Sequence, residues 1–406
     1  MIELQTKQFW RATIALGIAS FVIFANVYYA QPLLPVFTDE FALSPAVSSL
    51  SVSLVLFSLG VSFFFYSALS DAIGRKKIIV IAMIISSVVT VSIAFVPNFE
   101  MLLVLRVLQG VALAGIPTVA MAYIGEEFAA RALTLAIGIH ISANSIGGMS
   151  GRMVSGMVTD WYDWRIAFLV MGVLSLVALV AFMLLLPSSK HFKRKSFDWK
   201  SAVTEYKLHL KNRTLRLAYL VGGLHFFIFV GIYNFITYLL SGDPFYVSTT
   251  ILGFLFITYL AGTFSSTLAG KVSQKLLQSH CIGIGILIMV VSTLLTLVSN
   301  LWVIVLGLLG LSFGFFFAHS CSSAWVSKYA QFGKASASGL YLTSYYFGGS
   351  LGSFYLSIFW NIGHWAGVVI GAILILAITS YLMLQMIKVE KHAVEVEKGS
   401  GTVLAR

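Results

Sequence analysis

Twelve apolar runs, each about the roughly 20 residues a helix needs to cross a hydrocarbon core, centre near residues 24, 57, 87, 111, 146, 176, 229, 260, 290, 313, 347 and 376. Inside a bilayer no water reaches the backbone, so such a segment must satisfy its own amide groups, and a helix does so within itself. The composition agrees: 59% of 406 residues are hydrophobic and 10% charged, where a soluble domain is about a quarter charged. The chain reads as an all-α membrane protein. The run from Ile14 to Phe37, preceded by Lys7 and Arg11, is too long for a signal-peptide core. Cys281 and Cys321 lie in apolar runs without metal-ligand spacing. They read as packing residues, and no metal or cofactor is expected.

The longest break between runs, Ser188 to Arg216, includes "KHFKRK" and falls halfway along the chain. It divides the sequence into a six-helix half (1–187), a basic linker (188–216), a second six-helix half (217–387) and a tail (388–406). With both termini placed in the cytoplasm, all but three of the 26 Lys/Arg fall on the inner side. The exceptions are Arg165, in an outer loop, and Arg106 and Arg152, within spans. Basic residues collect on the cytoplasmic side of membrane proteins. That rule selects this orientation and accounts for a net charge of +11 without invoking nucleic acid.

The halves repeat. "SALSDAIGRKK" (67–77) aligns with "STLAGKVSQKL" (266–276), each between the second and third spans of its half. Gly138, Gly147 and Gly151 have the mutual spacing of Gly339, Gly348 and Gly352. Small residues at such spacing let helices approach closely, which makes Gly138, Gly147, Gly151, Gly348 and Gly352 candidate packing positions. Duplicated six-helix halves with a midplane site are a recurrent transporter design.

These motifs resemble the major facilitator superfamily over nearly the whole chain. "SALSDAIGRKK" is similar to its loop signature G-x-L-x-D-R-x-G-R-[RK], matched at Leu69, Asp71, Gly74, Arg75 and Lys76, with Ser67 and Ala72 departing. "LRVLQG" resembles the fourth-helix signature R-x-x-Q-G through Arg106, Gln109 and Gly110. The fifth helix resembles the antiporter signature G-x8-G-x3-G-P-x2-G-G through Gly138, Gly147, Gly151 and Gly156, with Arg152 in the proline's place and Ser155 for a glycine. "NVYYAQPLLP", "SGRMVSG" and "WYDWR" look like a bacterial inner-membrane branch grouped with acriflavine-sensitivity proteins. The resemblance implies twelve transmembrane helices in two pseudo-symmetric halves, export by alternating access, a monomer, and a conformational gate. In that gate Asp71 would latch the halves beside Arg131, with Gly74, Arg75 and Lys76 forming a tight basic turn.

In the fourth helix, Arg106, Gln109, Gly110, Leu113 and Pro117 share a face, and Pro117 should bend the helix near its middle. In the fifth, Asn144, Gly147, Gly151 and Ser155 form a small-residue stripe beside a polar one of Ser145, Gly148, Arg152 and Ser155. Arg152 stands eight residues from Asp160, roughly 12 Å into the span. A central arginine costs about 2.5–3.5 kcal/mol on insertion scales and is functional by default. All 15 Asp/Glu lie in loops, tails or helix ends. The first helix offers Asn26, Tyr28, Tyr29 and Gln31 where related drug/proton antiporters carry a carboxylate.

A cavity with two arginines and no carboxylate attracts anions, so Arg106 and Arg152 are candidate substrate contacts. Asn26, Tyr28, Tyr29, Gln31 and Gln109 join them, as do Tyr233, Asn234, Tyr341 and Tyr345 by polarity. For protons the candidates are His319, His225 and His140 within the spans, since imidazole titrates near neutral pH, and Asp39 at the mouth. No nucleotide-binding loop or catalytic constellation is present in the sequence. The expectation is a multi-pass inner-membrane transporter, not an enzyme, exporting a small organic anion or zwitterion against protons. A multidrug/proton antiporter for lipophilic cations, an uptake symporter and a non-transporting membrane receptor on the same fold are the alternatives.

Overall fold

The structure is a computed structural model that describes residues 1–192 and 199–403; the side chains of Ser67, Ala68, Asp71, 199–202, Ala335 and 393–403 lie outside it. Among the described residues eleven helical stretches are long and apolar enough to span a membrane: Lys7–Glu40, Pro45–Tyr66, Arg75–Ile93, Phe99–Glu127, Ala130–Trp161, Trp164–Leu185, Arg213–Ser241, Thr249–Val272, Gln278–Leu295, Leu301–Tyr329 and Ser336–His392. The last is 57 residues long and carries non-helical backbone at Gly363 and His364. It therefore holds two helices, and twelve spans result, as the apolar runs require.

Helix starts use side-chain oxygens for the amides that have no partner in the first turn. Thr6, Asn98, Asp163 and Ser248 each accept from the backbone three residues on. The fourth span breaks at Ala114, between Phe99–Leu113 and Gly115–Glu127, because the Pro117 ring excludes the carbonyl one turn earlier. Gly74, at φ +115°, ends the second helix. Few L side chains tolerate that backbone, and it lets Arg75 begin the third span directly.

By contacts the chain forms two compact units, Met1–Trp199 with Tyr233–Ile257, and Lys200–Ile232 with Thr258–Arg406. In the first unit glycines set three close pairings. A Cβ at Gly147 would stand 2.3 Å from the Phe21 carbonyl oxygen, and one at Gly151 2.6 Å from Ala25 Cα, so the fifth span lies directly on the first. A Cβ at Gly110 would meet Val55 O at 2.5 Å, joining the fourth span to the second, and one at Gly172 would meet Val91 Cγ2 at 2.4 Å, joining the sixth to the third.

The second unit repeats the scheme. Gly348 and Gly352 seat the eleventh span on Gly223 and Phe227 of the seventh, Gly262 receives Phe316 between the eighth and tenth, and Gly283 receives Met383 between the ninth and twelfth. Pairings 1–5, 2–4 and 3–6 thus become 7–11, 8–10 and 9–12, the duplication legible in the sequence. Gly138 departs from its expected packing role. A Cβ there, as at Gly339, would meet nothing within 4 Å: nine residues from Gly147, Gly138 lies about two and a half turns away on the opposite, exposed face of the helix.

A valine at Gly151 or Gly352 would drive a side chain into backbone, which cannot yield as a flexible side chain can. Gly352→Val should lower the unfolding midpoint in detergent by an amount matching at least the 1–3 kcal/mol typical of overpacking. Gly138→Ala should leave it equal or raise it by up to about 1 kcal/mol, from helix propensity alone.

Candidate functional site

Polar side chains buried in a membrane bundle must find partners, and the partners divide the candidate residues into three groups. The first is a closed core within the first unit. The guanidinium of Arg106 is fully buried. Its Nε donates to Ser51 O (2.6 Å), Nη1 to Asn26 O (3.0 Å) and to Gln109 Oε1, and Nη2 to Val27 O (2.7 Å). Asn26 and Val27 lie in the last turn of Lys7–Tyr28, where carbonyls lose their intrahelical partners and the helix dipole is negative. Only a planar fork reaches several such oxygens at once.

Gln109 Nε2 donates to Asn26 Oδ1 (3.1 Å) and Thr90 Oγ1 (2.6 Å), and Asn26 Nδ2 donates to Ser175 Oγ (3.0 Å). Tyr29 OH donates to Ala167 O (2.7 Å). Arg106, Gln109, Asn26 and Tyr29 therefore tie the first, second, third, fourth and sixth spans together. Thr90 and Ser175, absent from the candidate residues above, are partners whose only signal was a hydroxyl inside an apolar run, and Ser51 joins through its backbone carbonyl, for which a sequence carries no signal.

The second group surrounds Arg152, which is 1% exposed. Its Nε donates to Gln31 Oε1 (2.8 Å) and its Nη1 to Gly148 O (2.9 Å). The guanidinium lies between two rings, 4.1 Å from the centroid of Tyr28 and 4.2 Å from that of Phe256, the geometry of a cation–π sandwich. Gln31 Nε2 in turn donates to Asn234 Oδ1 (2.6 Å). The amide is thereby fixed in orientation, oxygen to the arginine and nitrogen to the asparagine. Tyr233 packs on Phe256 at 5.2 Å.

Close helix contact makes this possible. A Cβ at Gly253 would stand 2.5 Å from Arg152 O, and one at Gly156 2.4 Å from Thr249 O. Thr250 Oγ1 donates to Asp160 Oδ2 (2.8 Å), and the Tyr238 hydroxyl reaches Thr38 Oγ1 (3.1 Å) and Ser48 Oγ. Phe256 was missed, since one phenylalanine among 32 carries no signal of its own.

The third group is in the second unit. His319 Nδ1 and Tyr341 OH are 2.9 Å apart, and the His319 ring lies 4.7 Å from that of Tyr345. His225 is buried on the seventh span. His140 is buried in the fifth span of the first unit, with Nδ1 unpartnered, and Asp39 is exposed.

At the basic end Arg75 makes a two-pronged ion pair with Glu126, Nη2 to Oε1 at 2.6 Å and Nε to Oε2 at 3.1 Å. Glu126 was not among the expected gate residues. Lys76 Nζ donates to Met183 O (3.2 Å) and to Leu186 O at the end of the sixth span. Arg131 is exposed. The expected Asp71 latch falls on a side chain outside the described residues.

The chain matches the family model of the Major Facilitator Superfamily over residues 16–353. It is 37% identical over 383 residues to a transporter of Buchnera aphidicola subsp. Schizaphis graminum, covering 94% of this chain and 93% of that one. It is 38% identical over 367 residues to the inner membrane transport protein YnfM of Escherichia coli, covering 90% and 88%. In fold it resembles the inward-facing, unoccupied crystal structure of a bacterial homologue of the human lysosomal transporter Spinster. There the TM-score is 0.78, at 15% identity, over 96% of this chain and 98% of that one.

Lysine at position 106 keeps the charge but loses the fork. Arg106→Lys should leave at least one helix-end carbonyl bare and cost about 2–4 kcal/mol of stability, read as a lowered unfolding midpoint in detergent. An unchanged midpoint would show that the fork does not hold these spans together.

Proposed function

The chain belongs to the major facilitator superfamily, whose members are secondary transporters working by alternating access rather than enzymes, and from that premise we propose that it exports a small organic anion or zwitterion in exchange for protons. It crosses the membrane many times and carries a small-molecule substrate. The orientation follows the basic loops, with both termini cytoplasmic. The sequence halves 1–187 and 217–387 are the bodies whose rocking exposes the substrate to either side, and the protein works as a monomer in the inner membrane.

The observation that carries this reading is the Arg152 sandwich. A positive charge deep in a span is held between two rings, with a neutral amide oxygen as acceptor on Nε. Carboxylates in the spans stand only near the ends, so the fixed charge of the interior is positive. A substrate carboxylate replacing Gln31 exchanges a hydrogen bond in which only the guanidinium is charged for one in which both partners are, while the rings of Tyr28 and Phe256 hold the guanidinium in place from either side. The exchange also frees Gln31, and with it the hold on Asn234. Substrate occupancy is in this way linked to release of the hold between the first span and the Tyr233–Ile257 segment.

Thermal unfolding in benzoate, glutamate and tetraphenylphosphonium, on wild type and Arg152→Ala, tests the substrate class. A ligand at 100 times its dissociation constant stabilises the native state by about 2.7 kcal/mol. Benzoate or glutamate should raise the wild-type midpoint and lose that effect in an Arg152→Ala protein that still unfolds cooperatively. Stabilisation by tetraphenylphosphonium that survives the substitution would favour multidrug export instead. In everted vesicles, uptake of the stabilising compound driven by an inwardly acidic gradient marks export, and loss of internal compound on acidification marks uptake symport.

A further inference from the structure

The second unit holds a buried titratable group to which the anion site assigns no role. His225, on the seventh span, has no solvent exposure, and neither ring nitrogen has a hydrogen-bond partner. A neutral imidazole carries one donor and one acceptor, and a native bundle rarely leaves both unmade. Such an exception marks a place where something other than packing is selected.

Its neighbours supply the chemistry. A Cβ at Gly222, one turn earlier on the same face, would stand 2.4 Å from the Tyr341 ring, so that ring abuts the helix beside His225. Tyr341 is hydrogen-bonded to His319 Nδ1 at 2.9 Å. An aromatic shell encloses the three: Phe226 stacks on Tyr345 at 3.8 Å, Phe229 on Phe315 at 3.9 Å, and Phe315 on His319 at 5.9 Å. Among the titratable groups on the helices packed here are Tyr219 of the seventh span, Tyr259 of the eighth, and His319 and Cys321 of the tenth. The eleventh adds Tyr341, Tyr345 and Tyr346. Arg213, Arg216, Lys328 and Lys334 stand at the basic ends of these helices.

We propose that His225, with the His319–Tyr341 pair beside it, is the site that takes up the exchanged proton. The inference rests on the proton-coupled reading above and names its coupling residue. One proton from the aqueous phase adds to a free ring nitrogen of His225, giving an imidazolium, and leaves to water on the other side. In the conformation described here the ring has no solvent exposure and that charge no acceptor, and a buried unpaired charge is strongly disfavoured. Protonation therefore favours a conformation that wets the ring, and differential proton affinity of the two states shifts the population.

Spin labels on Tyr162→Cys and Tyr246→Cys, at positions 70% and 71% exposed, with Cys281 and Cys321 replaced by alanine, report the separation of the fifth span's end from the 242–248 loop. Acidification from pH 8 to pH 5.5 should add a longer component to the distance distribution of the wild type. The same should hold for His140→Gln, a control for burial alone. His225→Gln, which keeps a donor and an acceptor but cannot charge, should show the pH 8 distribution at both pH values. His319→Gln, whose acid response should shrink, gives a second variant if His225→Gln does not fold. A full acid response in His225→Gln or His319→Gln overturns the site while leaving proton coupling intact. No acid response in the wild type overturns the proton-coupled reading and the site with it.

Discussion

The Arg106 guanidinium on the end of the first helix is the contact on which the first unit turns. Helix Lys7–Tyr28 stops inside the bundle, before the short Gln31–Leu33 turn, at a depth where no water can take its last carbonyls. A full positive charge supplied by the fourth span meets two of those oxygens and one from the second span. Charge-assisted bonds to oriented dipoles compensate the desolvation of the arginine better than any single neutral donor could. With the helix end so capped, Tyr28, Tyr29 and Gln31 are carried into the interior on a fixed backbone. The Arg152 sandwich then has its first ring and its amide already in place.

Glycine supplies the second condition. Membrane helices gain little from apolar burial, since lipid is as apolar as leucine, and they depend on close backbone approach. The Cβ-free surfaces at Gly147, Gly151, Gly348 and Gly352 bring helix backbones together at distances that exclude any side chain. The same device at Gly253 and Gly156 lets the Thr249–Phe254 helix lie directly on the fifth span, and Phe256 reaches the guanidinium from there. The proline of the resembling antiporter signature is replaced by Arg152, so a position associated with helix geometry carries the most buried charge of this helix.

The two polar groups proposed for transport differ in kind. Arg152 is engaged, and the proposal turns on a better acceptor displacing a weaker one. His225 is unengaged, and the proposal turns on the cost of charging it where it stands. The first group belongs to the first unit and the second to the second unit. Each depends on local packing that its own unit supplies: the Tyr28 and Phe256 rings in one, the Phe226–Tyr345 and Phe229–Phe315 stacks in the other.

Span number, the basic loops, the duplicated halves and the family were legible in the amino-acid sequence, because each is written in local composition. Twenty apolar residues must cross a bilayer wherever they occur, and a Gly-Arg-Lys turn is a turn in any context. The glycine pairings were half legible: spacing marked Gly147 and Gly151 together with Gly138, which the nine-residue offset puts on the opposite helix face, and only the structure showed which face meets a neighbour. The two buried arginines were not separable at all from sequence. Both lie within spans, both have polar neighbours one turn away, and both match or replace a motif position. Tertiary structure alone separated them, by placing a helix terminus beside Arg106 and two aromatic rings beside Arg152. Depth in the membrane follows from counting residues along one helix, whereas a partner is fixed by which faces of distant helices meet, and that is set by packing of the whole bundle.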